Sequence, residues 1–247
     1  MRDAVLKPDA ATPEITRKLA LDNVASGYGQ VSIIKSVSLD IRPREIFALM
    51  GKNGMGKTTL LKTILGFLPL KAGSISLDGQ TTADKNPSSL IAAGVGYAPQ
   101  EQPLFQDLSI RDNLRLALRS DRDLPAALDI IYGHFPFFAE RLAQRAGTLS
   151  GGEQKMLILA RALMLKPKLL LIDEISEGLQ PSVIERIATA LKRERDERGT
   201  AILIVEQNLD FALSVADRWA VLKLGEIDDA GQMDQTTRAR ILDHLKL

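Results

Sequence analysis

Eight consecutive residues, Gly51 to Thr58, have the types and spacing of a loop that holds phosphate groups. They read G-K-N-G-M-G-K-T, a pattern in which glycines allow backbone N–H groups to surround a polyphosphate. The ammonium of Lys57 would reach the β- and γ-phosphates, and the hydroxyl of Thr58 would bind Mg²⁺. Apolar residues 47–50 precede the loop and residues 58–65 have helical spacing, so the phosphates would lie at a helix N-terminus. The pattern predicts a nucleotide-binding loop rather than a glycine turn that binds nothing. The candidate nucleotide contacts here are Gly51, Lys52, Asn53, Gly54, Met55, Gly56, Lys57, Thr58 and Thr59.

Two adjacent carboxylates, Asp173 and Glu174, follow the four apolar residues 169–172. A carboxylate at the C-terminal end of a buried strand can hold Mg²⁺, usually through water, across from Thr58. Glu174 would then polarise an attacking water molecule. Taken alone, such a pair is also typical of a helix cap or an exposed turn. The phosphate loop earlier in the chain favours the catalytic interpretation.

A second candidate anion site is the sequence L-S-G-G-E at the start of a predicted helix over residues 152–165. Ser150, Gly151 and Gly152 would offer a hydroxyl and open N–H groups at the positive end of the helix dipole. Ser150 with Glu153 three positions later is equally a capping box, which needs no ligand. The spacing alone does not separate these two interpretations.

The composition limits the class of protein in which these candidate residues occur. With 247 residues, of which 45% are hydrophobic, the chain can form one large α/β domain with an inserted subdomain. A net charge of +1 and 4% aromatic residues argue against a nucleic-acid partner. No apolar run approaches the roughly 20 residues that span a bilayer, so other subunits would have to supply any membrane-spanning part. The two histidines fall on no motif, and cysteine is absent.

Periodicity predicts the elements that must position the candidate residues. Strand-like patterns occupy residues 19–24, 31–41, 45–50, 73–79, 94–98, 168–173 and 200–205. Helical patterns occupy residues 58–65, 110–118, 125–131, 137–146, 152–165 and 183–198. We expect residues 1–18 to be a flexible leader, residues 19–247 to form one domain, and residues 101–165 to form a helical subdomain inserted into it.

The three motifs together, G-x-x-x-x-G-K-T, L-S-G-G-E and L-L-L-I-D-E, resemble the ATPase subunit of an ABC transporter over nearly all of residues 19–247. L-S-G-G-E is the most specific of them. The resemblance implies an α/β P-loop NTPase core with a parallel sheet, an N-terminal antiparallel β subdomain and an inserted helical subdomain. It implies that ATP and Mg²⁺ bind, and that two subunits dimerise head to tail. Ser150, Gly151 and Gly152 would then grip the γ-phosphate of ATP held by the partner's phosphate loop.

The same resemblance implies roles for residues outside the three motifs. Tyr28 would stack on adenine, although a core tyrosine would need no ligand. Gln100 would touch Mg²⁺ and the attacking water, although a glutamine in a polar loop is the simpler interpretation. Residues 100–105 would line the groove that receives a helix of the membrane subunit. Residues 176–180 would cross the dimer interface.

Three residues differ from the usual pattern of the family, and they help to indicate which subgroup of the family this sequence resembles most. Gln207 stands where the family usually has a histidine; its amide can donate to a γ-phosphate but does not titrate near neutrality. Gln180 replaces an aspartate, and Ile175 replaces a proline, a change that we cannot interpret. The sequences V-E-Q-N and E-G-L-Q-P look most like the second ATPase subunit of branched-chain amino acid and urea importers. The predicted catalytic residues are Glu174, Gln100 and Gln207, and the predicted metal-binding residues are Thr58, Gln100 and Asp173.

These observations predict an ATP-hydrolysing subunit of an importer for branched-chain amino acids, urea or a related small amide, bound to the cytoplasmic face of a membrane. Its partners would be a second ATPase subunit, identical or different, membrane-spanning permease subunits and, indirectly, a periplasmic or extracellular substrate-binding protein. An exporter or lipid-handling ATPase is the main alternative, although such proteins usually retain the histidine. A non-transport ABC ATPase acting on ribosomes or DNA, and a catalytically dead subunit, are further alternatives.

Overall fold

The computed structural model describes residues 17–100 and 104–245. Most of the predicted leader, and residues 101–103 of the segment expected to meet a membrane subunit, lie outside the described residues. At the boundary, the backbone N–H of Lys18 donates to the carbonyl oxygen of Ile41 at 2.7 Å, and its ammonium pairs with Asp78 at 2.6 Å. Regular pairing with the sheet therefore begins immediately before Leu19.

Ten strands in the described residues form one mixed sheet. Their bounds are β1 (Leu19–Tyr28), β2 (Val31–Ile41), β3 (Ile46–Met50), β4 (Leu70–Leu77), β5 (Gln80–Thr81), β6 (Val95–Ala98), β7 (Leu169–Asp173), β8 (Ala201–Glu206), β9 (Arg218–Lys223) and β10 (Glu226–Gln232). The order across the sheet is β5-β4-β1-β2-β10-β9-β3-β8-β7-β6. Strands β9, β3, β8, β7 and β6 run parallel, whereas β1, β2, β4 and β5 pair antiparallel. This arrangement confirms the predicted fold class.

The parallel strands are buried on both faces, because apolar residues alternate between two hydrophobic clusters. Along β3, Ile46, Ala48 and Met50 pack into the cluster that includes the central helices, while Phe47 and Leu49 pack into the cluster shared with the antiparallel strands. Because β3, β8 and β7 run parallel, their carboxyl ends meet at one edge of the sheet, where the candidate residues lie.

Eight α-helices occur within the described residues. They are α1 (Lys57–Ile64), α2 (Pro87–Ala92), α3 (Ile110–Arg115), α4 (Leu124–His134), α5 (Gly151–Leu163), α6 (Pro181–Arg193), α7 (Leu209–Val215) and α8 (Thr237–Leu245). The helix predicted over residues 183–198 begins two residues earlier as α6 and finishes in a π-helical turn, Glu194–Arg198. None of the helices in residues 17–100 and 104–245 combines the length and apolar character that crossing a bilayer requires.

The helix predicted over residues 137–146 does not form, which corrects the assignment from periodicity. Two short 3-10 turns, Pro136–Glu140 and Ala146–Thr148, flank an irregular stretch instead. In that stretch the carbonyl oxygens of Leu142 and Gln144 accept hydrogen bonds from the first two amides of α3, at 3.0 and 2.8 Å. These contacts complete another helix, so the local helical spacing is overridden by a tertiary contact.

Candidate nucleotide-binding site

The phosphate loop joins the end of β3 to the start of α1. Gly54 and Gly56 have φ angles of +80° and +104°, which side-chain-bearing residues rarely adopt. A Cβ atom on Gly56 would also lie 2.8 Å from the Cδ1 atom of Ile34. No side chain caps α1, and its first turn contains no acidic residue. The first-turn amides are therefore left for an external anion, as a phosphate-binding loop requires.

Lys57 is 4% exposed, and its ammonium lies inside this loop. It donates to the carbonyl oxygens of Gly51 at 2.7 Å and Lys52 at 3.1 Å. It also forms an ion pair with Glu174 at 2.8 Å, with both side chains almost fully buried. A phosphate entering the loop would compete with the Glu174 carboxylate for this ammonium, because both groups are anionic.

Thr58 and Asp173 form a pair of oxygen ligands across the site. The Thr58 hydroxyl donates to the Asp173 carboxylate at 3.2 Å, and the Tyr97 hydroxyl donates to the other carboxylate oxygen at 3.4 Å. Burial raises the pKa of Asp173, and the charge of Glu174 raises it further, while the Thr58 hydrogen bond and Lys57 lower it. A bound cation would favour the ionised form.

This donor set fits Mg²⁺ held partly by a nucleotide. The described residues contain no group of three or more His, Cys, Asp or Glu side chains that could enclose a metal. Mg²⁺ in nucleotide sites takes only one or two protein oxygens and completes its shell with phosphate oxygens and water. Thr58 and Asp173 provide that number of protein ligands.

Glu174 is the residue at which the site's other groups converge. It is 4% exposed and adopts a left-handed backbone conformation with a φ angle of +44°, which is uncommon for a side-chain-bearing residue. Its N–H donates to the carbonyl oxygen of Val205 at 2.9 Å, so the neighbouring strand β8 holds this conformation. Unusual backbone geometry that the surroundings hold in place is concentrated at functional sites.

Gln100 and Gln207 both direct their amide nitrogens at this carboxylate. Gln100 Nε2 lies 2.8 Å from Glu174 Oε2, and Gln207 Nε2 lies 3.4 Å from each Glu174 oxygen. Gln207 also donates to the side-chain oxygen of Asn53, which links the end of β8 to the phosphate loop. The structure therefore brings together four separate segments of the chain around Glu174 or its immediate neighbours. They contribute Asn53, Lys57 and Thr58, then Gln100, then Asp173, and finally Gln207.

Tyr28 and the Ser150–Gly152 segment do not join this cluster. Tyr28 ends β1 and is 49% exposed. Ser150 forms the predicted capping box at the start of α5, donating its N–H to Glu153 at 2.9 Å and accepting from the Glu153 N–H at 3.3 Å. No hydrogen bond or ion pair among the described residues joins either segment to the phosphate loop. Gly151 faces open space, whereas Gly152 packs against Val183.

Several contacts at the site are not identifiable from the motifs. Gln100 also donates to Glu177 at 2.9 Å, and its carbonyl oxygen accepts from the ammonium of Lys155 on α5 at 2.8 Å. Burial lowers the pKa of Lys155, while nearby carboxylates raise it. Glu206, next to Gln207, contacts Ser176. Proximity to a motif is the one sequence signal for these residues, and it does not reveal which side chains point inward.

Two curated proteins are similar to this chain over most of its length. The high-affinity branched-chain amino acid transport ATP-binding protein BraG of Pseudomonas aeruginosa is 39% identical over 211 residues, which are 85% of this chain and 90% of that protein. The lipopolysaccharide export system ATP-binding protein LptB of Escherichia coli K12 is 33% identical over 216 residues, 85% of this chain and 88% of LptB.

A family model and a solved structure agree with these relatives. The dimeric post-hydrolysis structure of the ATP-binding cassette MJ0796, bound to ADP and Pi, superposes with a TM-score of 0.76 and 26% identity, over 87% of this chain and 99% of that one. The family model for ABC transporters matches residues 34–177, which include the phosphate loop, the L-S-G-G-E sequence and the acidic pair. The resemblance predicted from the motifs is thus confirmed: the chain belongs to the ABC transporter family and is an ATPase of that family.

Proposed function

We propose that this chain is the ATP-hydrolysing subunit of an importer for branched-chain amino acids or a related small amide such as urea. One observation carries the hydrolytic role: the buried carboxylate of Glu174 is surrounded by Lys57, Gln100 and Gln207 beside the Thr58–Asp173 pair. Family membership supports the transport role, and the name of BraG supports the substrate class.

The phosphate groups of ATP bind to the first-turn amides of α1 and to Lys57. Lys57 exchanges its Glu174 partner for phosphate oxygens, which frees the carboxylate. Thr58 and Asp173 would hold Mg²⁺, which would neutralise charge that develops on the transferring phosphoryl group. Glu174 then orients and deprotonates the attacking water, and the Gln100 and Gln207 amides hold the carboxylate and that water beside each other.

The positions of Ser150–Gly152 and Tyr28 support a composite site made by two subunits. The α5 N-terminus carries an L-S-G-G-E sequence but lies apart from its own phosphate loop, so a second ATPase subunit is needed to bring such a segment to the nucleotide. The dimeric state of MJ0796 supports this arrangement. Tyr28, exposed at the end of β1, stacks on adenine. The second subunit is either another copy of this chain or a related chain.

The segment that begins at Gln100 is proposed to contact a membrane-spanning permease subunit. Phe105 is 57% exposed while Leu104 is buried, which leaves one aromatic ring available at the surface. The Asn113 side chain holds this segment by accepting from the Phe105 N–H at 2.9 Å and donating to its carbonyl oxygen at 3.0 Å. A permease docked here would place the subunit on the cytoplasmic face of the membrane, with a substrate-binding protein acting through the permease and no role for nucleic acid.

Export is the alternative direction of transport, because LptB resembles this chain over a similar length. ATP-dependent uptake of labelled leucine, isoleucine or urea into vesicles containing the assembled complex distinguishes the two. Uptake supports the importer. Extraction of lipid without uptake of any of these solutes would contradict it.

The hydrolytic role is tested with Glu174→Gln in the assembled complex. We expect nucleotide binding to persist and ATP turnover to fall by about 10²- to 10⁴-fold, the usual contribution of a general base. Glu185→Gln, an exposed carboxylate on α6, is the matched control and should retain wild-type turnover. Near-normal turnover in Glu174→Gln would remove this residue from the proposed role.

A further inference from the structure

Glu206 is a buried carboxylate that the hydrolytic mechanism above does not use. It is the last residue of β8 and is 1% exposed. In the sheet it lies beside Met50, which precedes the phosphate loop, and Val205 next to it pairs with Asp173. Glu206 therefore lies on the strand between β3 and β7, and so between the phosphate loop and the acidic pair.

Both oxygens of Glu206 are engaged by one residue of a neighbouring loop. Oε1 accepts from the Ser176 N–H at 3.0 Å, and Oε2 accepts from the Ser176 hydroxyl at 2.8 Å. The backbone N–H of Asn208 also donates to this carboxylate. A buried carboxylate is unfavourable unless several donors compensate for its lost hydration. Here the donors come from the loop after β7 and from the start of α7, so the carboxylate joins these two segments.

These two segments carry the side chains that meet at the candidate catalytic centre. Ser176 is two residues after Glu174, and Gln207 is the residue directly after Glu206. The Glu174 and Gln207 side chains are 3.4 Å apart, and Glu174 has the left-handed backbone described above. A shift of the Ser176 loop relative to the end of β8 would separate the Glu174 carboxylate from the Gln207 amide.

We propose that Glu206 is a positioning residue for ATP hydrolysis. Through Ser176 and Asn208 it fixes the distance between the Glu174 loop and the Gln207 segment, so that the side chains of Glu174 and Gln207 face the same water molecule. This inference rests on the proposed roles of Glu174 and Gln207. In this role Glu206 acts through Ser176 and Asn208 and not by binding nucleotide or water itself. Its effect falls on the rate of the chemical step more than on ATP affinity, because Ser176 contacts Glu206 rather than the phosphate loop, and the Gln207 segment reaches that loop through the Gln207–Asn53 hydrogen bond.

The test compares Glu206→Ala, Glu206→Gln, Ser176→Ala and the double variant Ser176→Ala/Glu206→Ala in the assembled complex. We expect Glu206→Ala to lower kcat by about 10- to 100-fold, since misplacement by about 1 Å can cost that much, with KM for ATP changed by less than about threefold. Glu206→Gln should recover most of kcat, because its carbonyl can accept from the Ser176 N–H and its amide can donate to the Ser176 hydroxyl.

Coupling within the pair gives a readout that a general loss of stability would not produce. Ser176→Ala should lower kcat, and the double variant should be no slower than Glu206→Ala alone, because both changes break the same contact. Glu45→Gln is the matched control: Glu45 is also buried, but it directly precedes β3 and accepts hydrogen bonds from the Arg42 N–H and the Arg218 guanidinium. It should leave kcat unchanged.

Three results would overturn the inference: wild-type kcat in folded Glu206→Ala, multiplied losses in the double variant, or an effect on KM alone. If Glu206→Ala does not fold, Ser176→Ala decides, and wild-type kcat there refutes the role of the contact. The proposed function fails separately, if Glu174→Gln retains turnover. When Glu174→Gln loses turnover and Glu206→Ala does not, only the positioning role is refuted.

Discussion

Burial of the Glu206 carboxylate leads us to predict how the stability of the protein depends on pH, and this prediction is independent of catalysis. The pKa of Glu206 is raised from its usual value of 4.5 to about 7. Burial is the main cause and the charge of Glu174 adds to it, while hydrogen bonds from Ser176 and Asn208 act in the opposite direction. Between these two pH values the folded protein binds more protons than the unfolded chain. Stability therefore falls as pH rises from about 4.5 to about 7, and this contribution stays constant at higher pH.

The magnitude follows from the size of the shift. A pKa raised by about 2.5, at roughly 1.4 kcal/mol for each pH unit, corresponds to about 3.5 kcal/mol in total. About 3 kcal/mol of this is lost between pH 4.5 and pH 8, because the unfolded chain is already half ionised at pH 4.5. The amide in Glu206→Gln does not titrate, so the variant escapes that loss. We expect the unfolding free energy of Glu206→Gln, relative to wild type, to increase by about 3 kcal/mol between pH 4.5 and pH 8.

Urea denaturation at several pH values between 4.5 and 8 measures this difference directly. The exposed variant Glu185→Gln supplies the baseline for replacing a carboxylate by an amide. If the wild-type and Glu206→Gln curves run parallel across the range, Glu206 titrates alike in the folded and unfolded states, and the reasoning from burial is refuted. If the unfolding free energy of Glu206→Gln, relative to wild type, instead increases as the pH is lowered, the pKa of Glu206 is lowered on folding, and the reasoning from burial is refuted as well.

Two further changes test other parts of the structure. Gly56→Ala should weaken ATP binding by at least tenfold in equilibrium binding assays, since its Cβ would meet Ile34 and its φ angle of +104° is strained for alanine; unchanged affinity would contradict the loop geometry. His134→Ala should lower the unfolding free energy by about 2–4 kcal/mol, because it removes a hydrogen bond at 3.1 Å to the fully buried Glu194 and leaves a cavity. Arg238→Ala, which breaks an exposed ion pair, should cost less than about 1 kcal/mol in the same urea titration, and equal losses in both variants would contradict the burial argument.

The phosphate loop and the buried parallel strands were predictable because their signals are local. G-x-x-x-x-G-K-T specifies a turn between a strand and a helix, and α1 begins at Lys57 as that pattern requires. The apolar run before Asp173 forms β7, with the acidic pair at its carboxyl end. The capping box at Ser150 was likewise predictable, because it depends on only four consecutive residues.

Elements whose limits depend on distant partners were harder to predict. Periodicity ended the first strand at residue 24, but β1 continues to Tyr28 because it pairs with β2 and β4 along its length. The helix predicted over residues 137–146 does not form, because backbone carbonyl groups of this stretch accept hydrogen bonds from the first amides of α3. No pattern indicated β9 and β10, although β9 pairs with β3 and so borders the phosphate loop.

The sequence by itself determined which chemical groups this protein carries and the short segments that present them, because glycine conformations, helix caps and apolar periodicity act over a few residues. Only the tertiary structure decided that the amides of Gln100 and Gln207 meet the buried carboxylate of Glu174, and that Glu206 joins the loops beside them. Those contacts connect residues 30 to 74 positions apart along the chain, and their geometry comes from the parallel pairing of β6, β7 and β8. Strand order is set by packing of the whole sheet, which no local pattern encodes.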